Sequence, residues 1–184
     1  MMRNRAIDAS NYQFCSGERI LIDANVWLFL QPPAAQPPPA YARRYSATLR
    51  NLLSANAQPV IEVLVLSEYI NRYLRLEYDV SWAHSYPRFK QFRNSQDFAT
   101  VATSAIADVR QIMTLAVAQD TTFSQADLPG ILDETQKGSF DFNDGVLVET
   151  CRDQGWKFLT DDADMQLGGI EVLTTNRRLL AACP

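Results

Sequence analysis

The chain has 184 residues, of which 47% are hydrophobic and 21% charged, as in an ordinary globular protein of one domain. Its formal net charge of −4 argues against a protein that coats nucleic acid, because such coating depends on a basic surface. An acidic site with separate basic contacts for phosphate remains compatible with this charge, since only the sum appears in the total.

The cysteines and the apolar runs indicate a cellular compartment. Cys15, Cys151 and Cys183 are too few and too scattered for a disulfide framework or a zinc cage, and their odd number favours a reducing compartment. The first residues carry positive charge without an apolar stretch behind them, so we expect no secretory signal. No apolar run approaches the ~20 residues that span a bilayer. We therefore expect a soluble, cytoplasmic protein with no membrane partner.

The first predicted element is a strand over Ile20–Ile22, which runs directly into Asp23. Three consecutive apolar residues are typical of a strand buried on both faces of a parallel sheet. Asn25 is the expected N-cap of a helix over Val26–Leu30. The proline-rich segment 32–40 then predicts an extended surface loop, since proline stops a helix.

A second strand and helix are predicted after a helix over 41–56. Residues rich in β-branched side chains favour a strand over Pro59–Val65. Ser67 is then a candidate N-cap for a helix that runs to about Tyr78. One side of this helix is predicted to carry an apolar stripe of Leu66, Ile70, Tyr73 and Leu74. The other side carries Glu68, Arg72 and Arg75.

The remaining chain predicts a helical middle region at about 80–129, with a turn at Pro129-Gly130. After it come a helix over 140–155 that ends at Gly155, a strand over 156–160, a loop and a last strand over 170–174. Strands that alternate with helices imply right-handed βαβ units. We therefore predict a single domain over 1–184 with an α/β fold, in which helices cover both sides of a mostly parallel sheet.

Acidic residues follow the predicted strands. Asp23 follows the first strand, Glu68 is placed at the opening of the helix after the second, and Asp161, Asp162 and Asp164 follow the strand over 156–160. Because the carboxyl ends of parallel strands meet at one edge of a sheet, we expect these acids to lie near one another.

A further acid lies on the helix over 140–155. Asp144, Leu147, Val148 and Cys151 have the i, i+3, i+4, i+7 spacing of one helix face, and Asp141 extends that row. A carboxylate on an inward-facing row is costly unless it is paired or binds a metal. Two acids three residues apart also repel each other unless a cation lies between them.

Each acid also has a plain structural interpretation. Asp23 and Asp141 could each cap a helix. Glu68 could form an ion pair with Arg72 at i+4, and the acids at 161–164 could lie in a solvated turn. These interpretations do not explain why four strand–helix junctions present carboxylates at one edge of the sheet.

A carboxylate cluster suits magnesium or manganese, which prefer oxygen ligands. Such ions promote hydrolysis of phosphodiesters without a nucleophilic serine, cysteine or histidine. His84 is the single histidine. It lies in the helical middle region, where we expect an ordinary, partly exposed side chain.

The order and spacing of four segments resemble the PIN-domain family, and within it the VapC-type ribonuclease toxins. The segments are ILIDANVWL around Asp23, VLSEYINRYLR around Glu68, DFNDGVLVETCRDQGWKFLTDDADM around Asp144 and Asp162, and the closing IEVLT. They leave Tyr78–Gly138 uncovered. The resemblance implies a three-layer α/β/α fold, a magnesium or manganese site and endonucleolytic cleavage of RNA.

The resemblance also implies roles for individual residues. The catalytic and metal-binding acids are Asp23, Glu68, Asp144 and Asp162. The supporting residues are Asp141, Asp164, Asn25 and Thr160, and Asp141 replaces Asp144 if the register is off by one turn. Arg72 and Arg75 are candidate contacts for RNA phosphates, with a solvated basic face as the alternative. VapC-type toxins dimerise and are inhibited by a small antitoxin protein, so both partners are implied.

Other interpretations remain open. The chain is longer than a compact toxin of this family, and Met165 occupies a position that is usually aromatic. The fold could serve an RNA-processing nuclease outside a toxin–antitoxin pair, or a non-catalytic module that binds protein. A phosphatase with an aspartyl nucleophile is disfavoured, because a second aspartate usually follows two residues later and this chain has Asn25 there.

Overall fold

The computed structural model describes residues 2–184, and its centre is a sheet of parallel strands. The strands are β1 Arg5–Asp8, β2 Arg19–Ile22, β3 Gln58–Ile61, β4 Val117–Ala118, β5 Lys157–Leu159 and β6 Glu171–Thr174. Their order across the sheet is β1-β6-β5-β2-β3-β4, and every adjacent pair is parallel.

Helices occupy the connections between these strands. They are α1 Ala24–Leu30, α2 Arg43–Ser54, α3 Val63–Glu77, α4 Phe89–Arg93, α5 Gln96–Leu115, α6 Leu128–Gln136, α7 Phe142–Gln154 and α8 Arg177–Ala182. Helix α1 packs on both α2 and α3, and α3 packs on α5. Helix α6 packs on α7, which packs on β5. The result is the predicted three-layer α/β/α arrangement, and the mostly parallel sheet of the prediction is parallel at every strand pair.

The centre of the sheet positions the acidic edge. Strand β2 pairs with β3 on one side and with β5 on the other. The register places Ile22 opposite Leu159, so the next residues, Asp23 and Thr160, emerge side by side at the carboxyl ends of these strands. The strands themselves are buried, as their uninterrupted apolar runs predict.

Two predicted helix caps are wrong. Helix α1 begins at Ala24 with Asp23 in the N-cap position, two residues earlier than a cap at Asn25 would place it. Helix α3 begins at Val63 and is capped by Glu62, whose carboxylate accepts a hydrogen bond of 2.7 Å from the Leu64 N–H. Because β3 therefore ends at Ile61, Ser67 lies inside the helix rather than at its start.

This earlier start also moves the apolar face of α3. Its buried side chains are Val65, Tyr69, Tyr73 and Glu77. Tyr73 is buried as predicted, but the rest of the predicted stripe is only half-buried. Glu68 lies in the second turn of the helix and not at its opening.

Elements with weak local signals were not predicted. Strand β1, the two-residue edge strand β4 and the short helices α6 and α8 have no counterpart in the sequence analysis. Pro129 and Gly130 lie within the first turn of α6 and not in a turn, because proline is tolerated where the helical N–H groups have no partner. Between residues 80 and 116 the chain is mainly helical, with α4 and α5, whereas residues 119–127 form a loop before α6.

The elements from α7 to β6 agree with the sequence analysis. Asp141 caps α7 by accepting a hydrogen bond of 2.9 Å from the Asp144 N–H, and Gly155 ends the helix with a left-handed backbone at φ 65°. Strands β5 and β6 follow, separated by the predicted loop. Among residues 2–184, no helix combines the length and the apolar character that crossing a bilayer requires.

Gly145 lets α6 and the loop before α7 approach the helix that carries Asp144. A Cβ atom at this position would lie 2.6 Å from Cε2 of Phe140 and 2.7 Å from Cγ2 of Ile131. We expect Gly145→Ala to lower the free energy of unfolding by about 1–3 kcal/mol through overpacking, more than the gain of about 1 kcal/mol in helix propensity. Urea unfolding measures this change.

Asn143→Ala is the matched control, since the neighbouring side chain is exposed on the same helix. It raises helix propensity without a clash and is expected to leave stability unchanged or slightly increased. Equal effects of the two substitutions would contradict the close packing at Gly145.

Candidate active site

The hydroxyl of Thr160 connects the ends of two strands. Its Oγ1 atom donates a hydrogen bond of 2.5 Å to Oδ2 of Asp23 and accepts from Nδ2 of Asn25 at 3.1 Å. It also accepts from the Asp162 N–H at 3.0 Å. Thr160 is fully buried, so these groups satisfy its polar atom where water cannot. One side chain therefore fixes two of the predicted acids and the predicted polar residue Asn25.

Asn25 strengthens the same connection from α1. Its Nδ2 atom donates to Oδ2 of Asp23 at 2.5 Å, and its Oδ1 atom accepts from the Asp161 N–H at 3.1 Å. The amide is thus a bridge between the carboxylate after β2 and the loop after β5. Asn25 and Thr160 therefore both contact the Asp23 carboxylate.

Asp23 is nearly inaccessible, with 6% of its surface exposed. Burial raises its pKa to about 6, because a charged carboxylate loses its hydration, and the hydrogen bond from Thr160 opposes that rise. The charges of Glu68 and Asp162 raise the pKa further. Asp23 is therefore within electrostatic reach of both other acids.

Asp144 lies in the first turn of α7. Burial is the main reason that its pKa is raised to about 8, and repulsion from Asp141, Asp23, Asp162 and Glu68 adds to the rise. Four acids from separate parts of the chain thus act on one carboxyl group. Asp141 contributes as a charge and as the cap of the helix.

An open cavity of about 790 Å³ lies at this edge of the sheet, and neither Asp23 nor Glu68 lines it. Asp141, Asp144, Asp162 and Asp164 line it, together with Arg3. Within the loop after β5, Oδ1 of Asp162 accepts a hydrogen bond of 2.8 Å from the Asp164 N–H, which orients the Asp162 carboxylate. The exposed Asp164 and the half-buried Asp162 are reachable by a ligand in this cavity.

Glu68 forms the ion pair with Arg72 that was its structural interpretation, and it also lies near the other acids. Its Oε1 atom forms an ion pair of 3.0 Å with Nη1 of Arg72, one turn along α3. The guanidinium of Arg75 lies over the ring of Phe89, 3.9 Å from its centre. Both arginines that the sequence analysis assigned to RNA phosphates therefore have partners within the protein.

Sequence reasoning missed the contribution of Tyr45 on α2. Its hydroxyl donates to Oδ1 of Asp161 at 2.6 Å and accepts from the Thr175 N–H at 3.1 Å. Burial and the bond to Asp161 raise the pKa of the Tyr45 phenol. Burial likewise raises the pKa of Asp161. No local sequence signal predicts this contact, since 116 positions separate the two residues.

The acidic side chains that line the cavity offer carboxylate oxygens as metal ligands, and no histidine or cysteine lines it. Within residues 2–184, no three histidine, cysteine, aspartate or glutamate side chains converge tightly enough to form a metal cage as they stand. Magnesium keeps several waters and needs only one or two carboxylates directly, so the residues present fit a hydrated ion better than a closed cage. His84 is exposed on the surface.

Comparison with known proteins adds information about the fold. No protein-family model matches the sequence, and no curated protein matches it. The chain is similar to the crystal structure of PAE2754 from Pyrobaculum aerophilum, with 14% identity, a TM-score of 0.48 and 92% of each chain covered. It is also similar to a chain in the crystal structure of VapBC2 from Rickettsia felis bound to a DNA fragment from their promoter. That match has 13% identity, a TM-score of 0.51, and covers 85% of this chain and 98% of the other.

The likeness to the VapBC2 chain confirms the predicted PIN-like α/β/α fold. At this identity it shows the fold alone.

Removing the Thr160 hydroxyl tests its role in the site. We expect Thr160→Val to lower the free energy of unfolding by about 1–3 kcal/mol, because a buried carboxylate and a backbone N–H lose their partner. Thermal or urea unfolding measures the change. Thr160→Ser keeps the hydroxyl and is expected to be closer to wild type. A serine variant as unstable as the valine variant would show that the methyl group, not the hydrogen bonds, matters.

Replacing Asp144 tests the repulsion among the acids. In chelator, we expect Asp144→Asn to raise the free energy of unfolding by on the order of 1 kcal/mol, the scale of one pKa unit. Folding forces the wild-type carboxyl group to bury a repelled charge or to take up a proton, and the amide does neither. Asp153→Asn, exposed on the same helix, is the control and is expected to have little effect. Destabilisation by Asp144→Asn would show that the acids are not in mutual repulsion.

Proposed function

We propose that this chain is a metal-dependent endoribonuclease that cleaves RNA phosphodiesters at the acids Asp23, Glu68, Asp144 and Asp162. The observation that carries the proposal is the grouping of carboxylates at one edge of the sheet. Thr160 joins Asp23 to the loop that carries Asp162, and Asp144 and Asp162 line one open cavity. Repulsion among these acids, which adds to the raised pKa of Asp144, supports the same conclusion, because uncharged amides at these positions would avoid it. A bound cation attracts each of these carboxylates, so it offsets the repulsion among them.

Magnesium or manganese is the proposed cofactor. Asp23, Asp144, Asp162 and Glu68 would share a hydrated ion, with one or two of these carboxylates in direct contact and the others reached through its bound waters. When bound, such an ion supplies positive charge that polarises a phosphodiester and activates water for its hydrolysis. The all-carboxylate donor set supports this choice, because these metals prefer oxygen to nitrogen or sulfur.

The other polar residues have positioning roles in this proposal. Thr160 and Asn25 hold the Asp23 carboxylate in one orientation through two hydrogen bonds to Oδ2. Asp141 fixes the first turn of α7 and so the position of Asp144. The Asp164 N–H orients Asp162. The open cavity at this edge of the sheet leaves room for a phosphodiester.

The biological setting is part of the proposal. The sequence segments that resemble VapC-type toxins, together with a fold similar to a chain of the VapBC2 complex, support a role as the toxin of a toxin–antitoxin pair. A small antitoxin protein and a homodimer are then the expected partners, and the cytoplasm the expected location. An RNA-processing nuclease outside such a pair would use the same acids.

Cleavage of a mixed RNA pool by purified protein, freed of any bound partner, tests the activity. We expect cleavage with manganese or magnesium, none in chelator, and a rate about 100-fold or more lower for Asp144→Asn, as when one electrostatic group is removed from an active site. Asp153→Asn is the matched control and is expected to cleave like wild type.

Three results would contradict the proposal. Cleavage that persists in Asp144→Asn, or that survives chelation, would place the activity elsewhere. A folded wild-type protein that neither cleaves RNA nor binds manganese would favour the non-catalytic, protein-binding alternative.

A further inference from the structure

A second cavity, of about 450 Å³, lies beside the acids at the same edge of the sheet. It is formed where the loop after β5 meets the start of α8 and the beginning of α2. Asp161 lines it and directly precedes Asp162, which lines the first cavity. The two cavities are therefore neighbours along one short loop.

Three arginines from two helices converge on this second cavity. They are Arg44 on α2 and Arg177 and Arg178 on α8, and all three are exposed. In the described part of the chain, none of these guanidinium groups forms an ion pair with a carboxylate. Three arginines without an ion pair at one place give this cavity a local positive charge, although the protein has a net charge of −4.

The acid in this cavity forms no ion pair with the arginines within residues 2–184. The Asp161 carboxylate instead accepts a hydrogen bond of 2.6 Å from the Tyr45 hydroxyl. The Asn176 side chain donates to the Asp161 carbonyl oxygen at 2.6 Å and accepts from the Arg178 N–H at 2.9 Å. These bonds fix the walls of the cavity and leave the guanidinium groups available.

An exposed aromatic ring completes the cavity. Tyr41 precedes α2, is 46% exposed, and packs edge-on against Phe29 with 5.6 Å between ring centres. Single-stranded nucleic acids bind where cationic side chains follow the phosphates and an aromatic ring stacks on a base. Arginine suits this role because its planar donors can bind phosphate in pairs.

We propose that this cavity binds the backbone of single-stranded RNA next to the acids, with Arg44, Arg177 and Arg178 contacting phosphates and Tyr41 stacking on a base. This inference rests on the proposed function, since it assigns the path of the RNA substrate. It replaces Arg72 and Arg75, which have partners within the protein, as the main phosphate contacts.

Binding of a labelled single-stranded RNA in chelator tests the inference without cleavage. We compare wild type with the triple variant Arg44→Ala, Arg177→Ala, Arg178→Ala. The control triple variant is Arg88→Ala, Lys90→Ala, Arg93→Ala, which removes the same charge from exposed positions at α4. We expect the first variant to bind at least about tenfold more weakly, with a salt-dependence slope smaller by about 2, because each single-strand phosphate contact adds about 0.7. The control is expected to bind like wild type.

Tyr41 gives an independent second test. Tyr41→Ala is expected to weaken RNA binding several-fold, whereas Tyr41→Phe keeps the ring and is expected to bind like wild type. Circular dichroism and unfolding measurements establish that each variant is folded. Equal binding by Tyr41→Ala and wild type would remove the stacking contact from the inference.

The outcomes separate this inference from the proposed function. Equal binding by both triple variants, or an equal loss in both, would overturn the arginine cavity even if wild type cleaves RNA with manganese. Arginine-dependent binding without metal-dependent cleavage would support the cavity and contradict the nuclease. Competition by an acidic polypeptide as effective as RNA would overturn the assignment to RNA in favour of an acidic protein.

Discussion

The short hydrogen bond from Thr160 to Asp23 is the constraint on which the acidic edge depends. It joins the residue after β5 to the residue after β2, and it exists because the parallel register sets Ile22 opposite Leu159. A shift of either strand by one residue would turn these side chains to the opposite face of the sheet. Because both groups are buried, water cannot easily replace this bond. The geometry of the acids therefore depends on the strand pairing in the core.

Local signals were enough to predict much of the fold and the acids. The strand before Asp23 is an unbroken apolar run, and α7 has a capping aspartate at one end and a glycine with a positive φ at the other. Each of these signals acts within a few residues. Because parallel strands bring their carboxyl ends to one edge, the same local reading also grouped acids that lie far apart in the sequence.

These local signals could not predict contacts between distant segments of the chain. The hydroxyl of Tyr45 reaches Asp161 only because α2 packs beside the loop after β5. Glu62, not Ser67, caps α3. The apolar run that suggested a longer strand continues into the helix, and residue propensity alone does not locate the boundary between them. The arginines of the second cavity come from α2 and α8, and α8 was not predicted at all. Charge on one visible helix face therefore pointed to Arg72 and Arg75 instead.

Asp141 meets two demands that chemistry can separate. As the cap of α7 it needs only an oxygen that accepts from the Asp144 N–H, and asparagine offers such an oxygen as well. As a neighbour of Asp144 it adds negative charge to the cavity, which asparagine does not. An asparagine at position 141 would consequently lower the negative charge of the cavity while keeping the cap of α7.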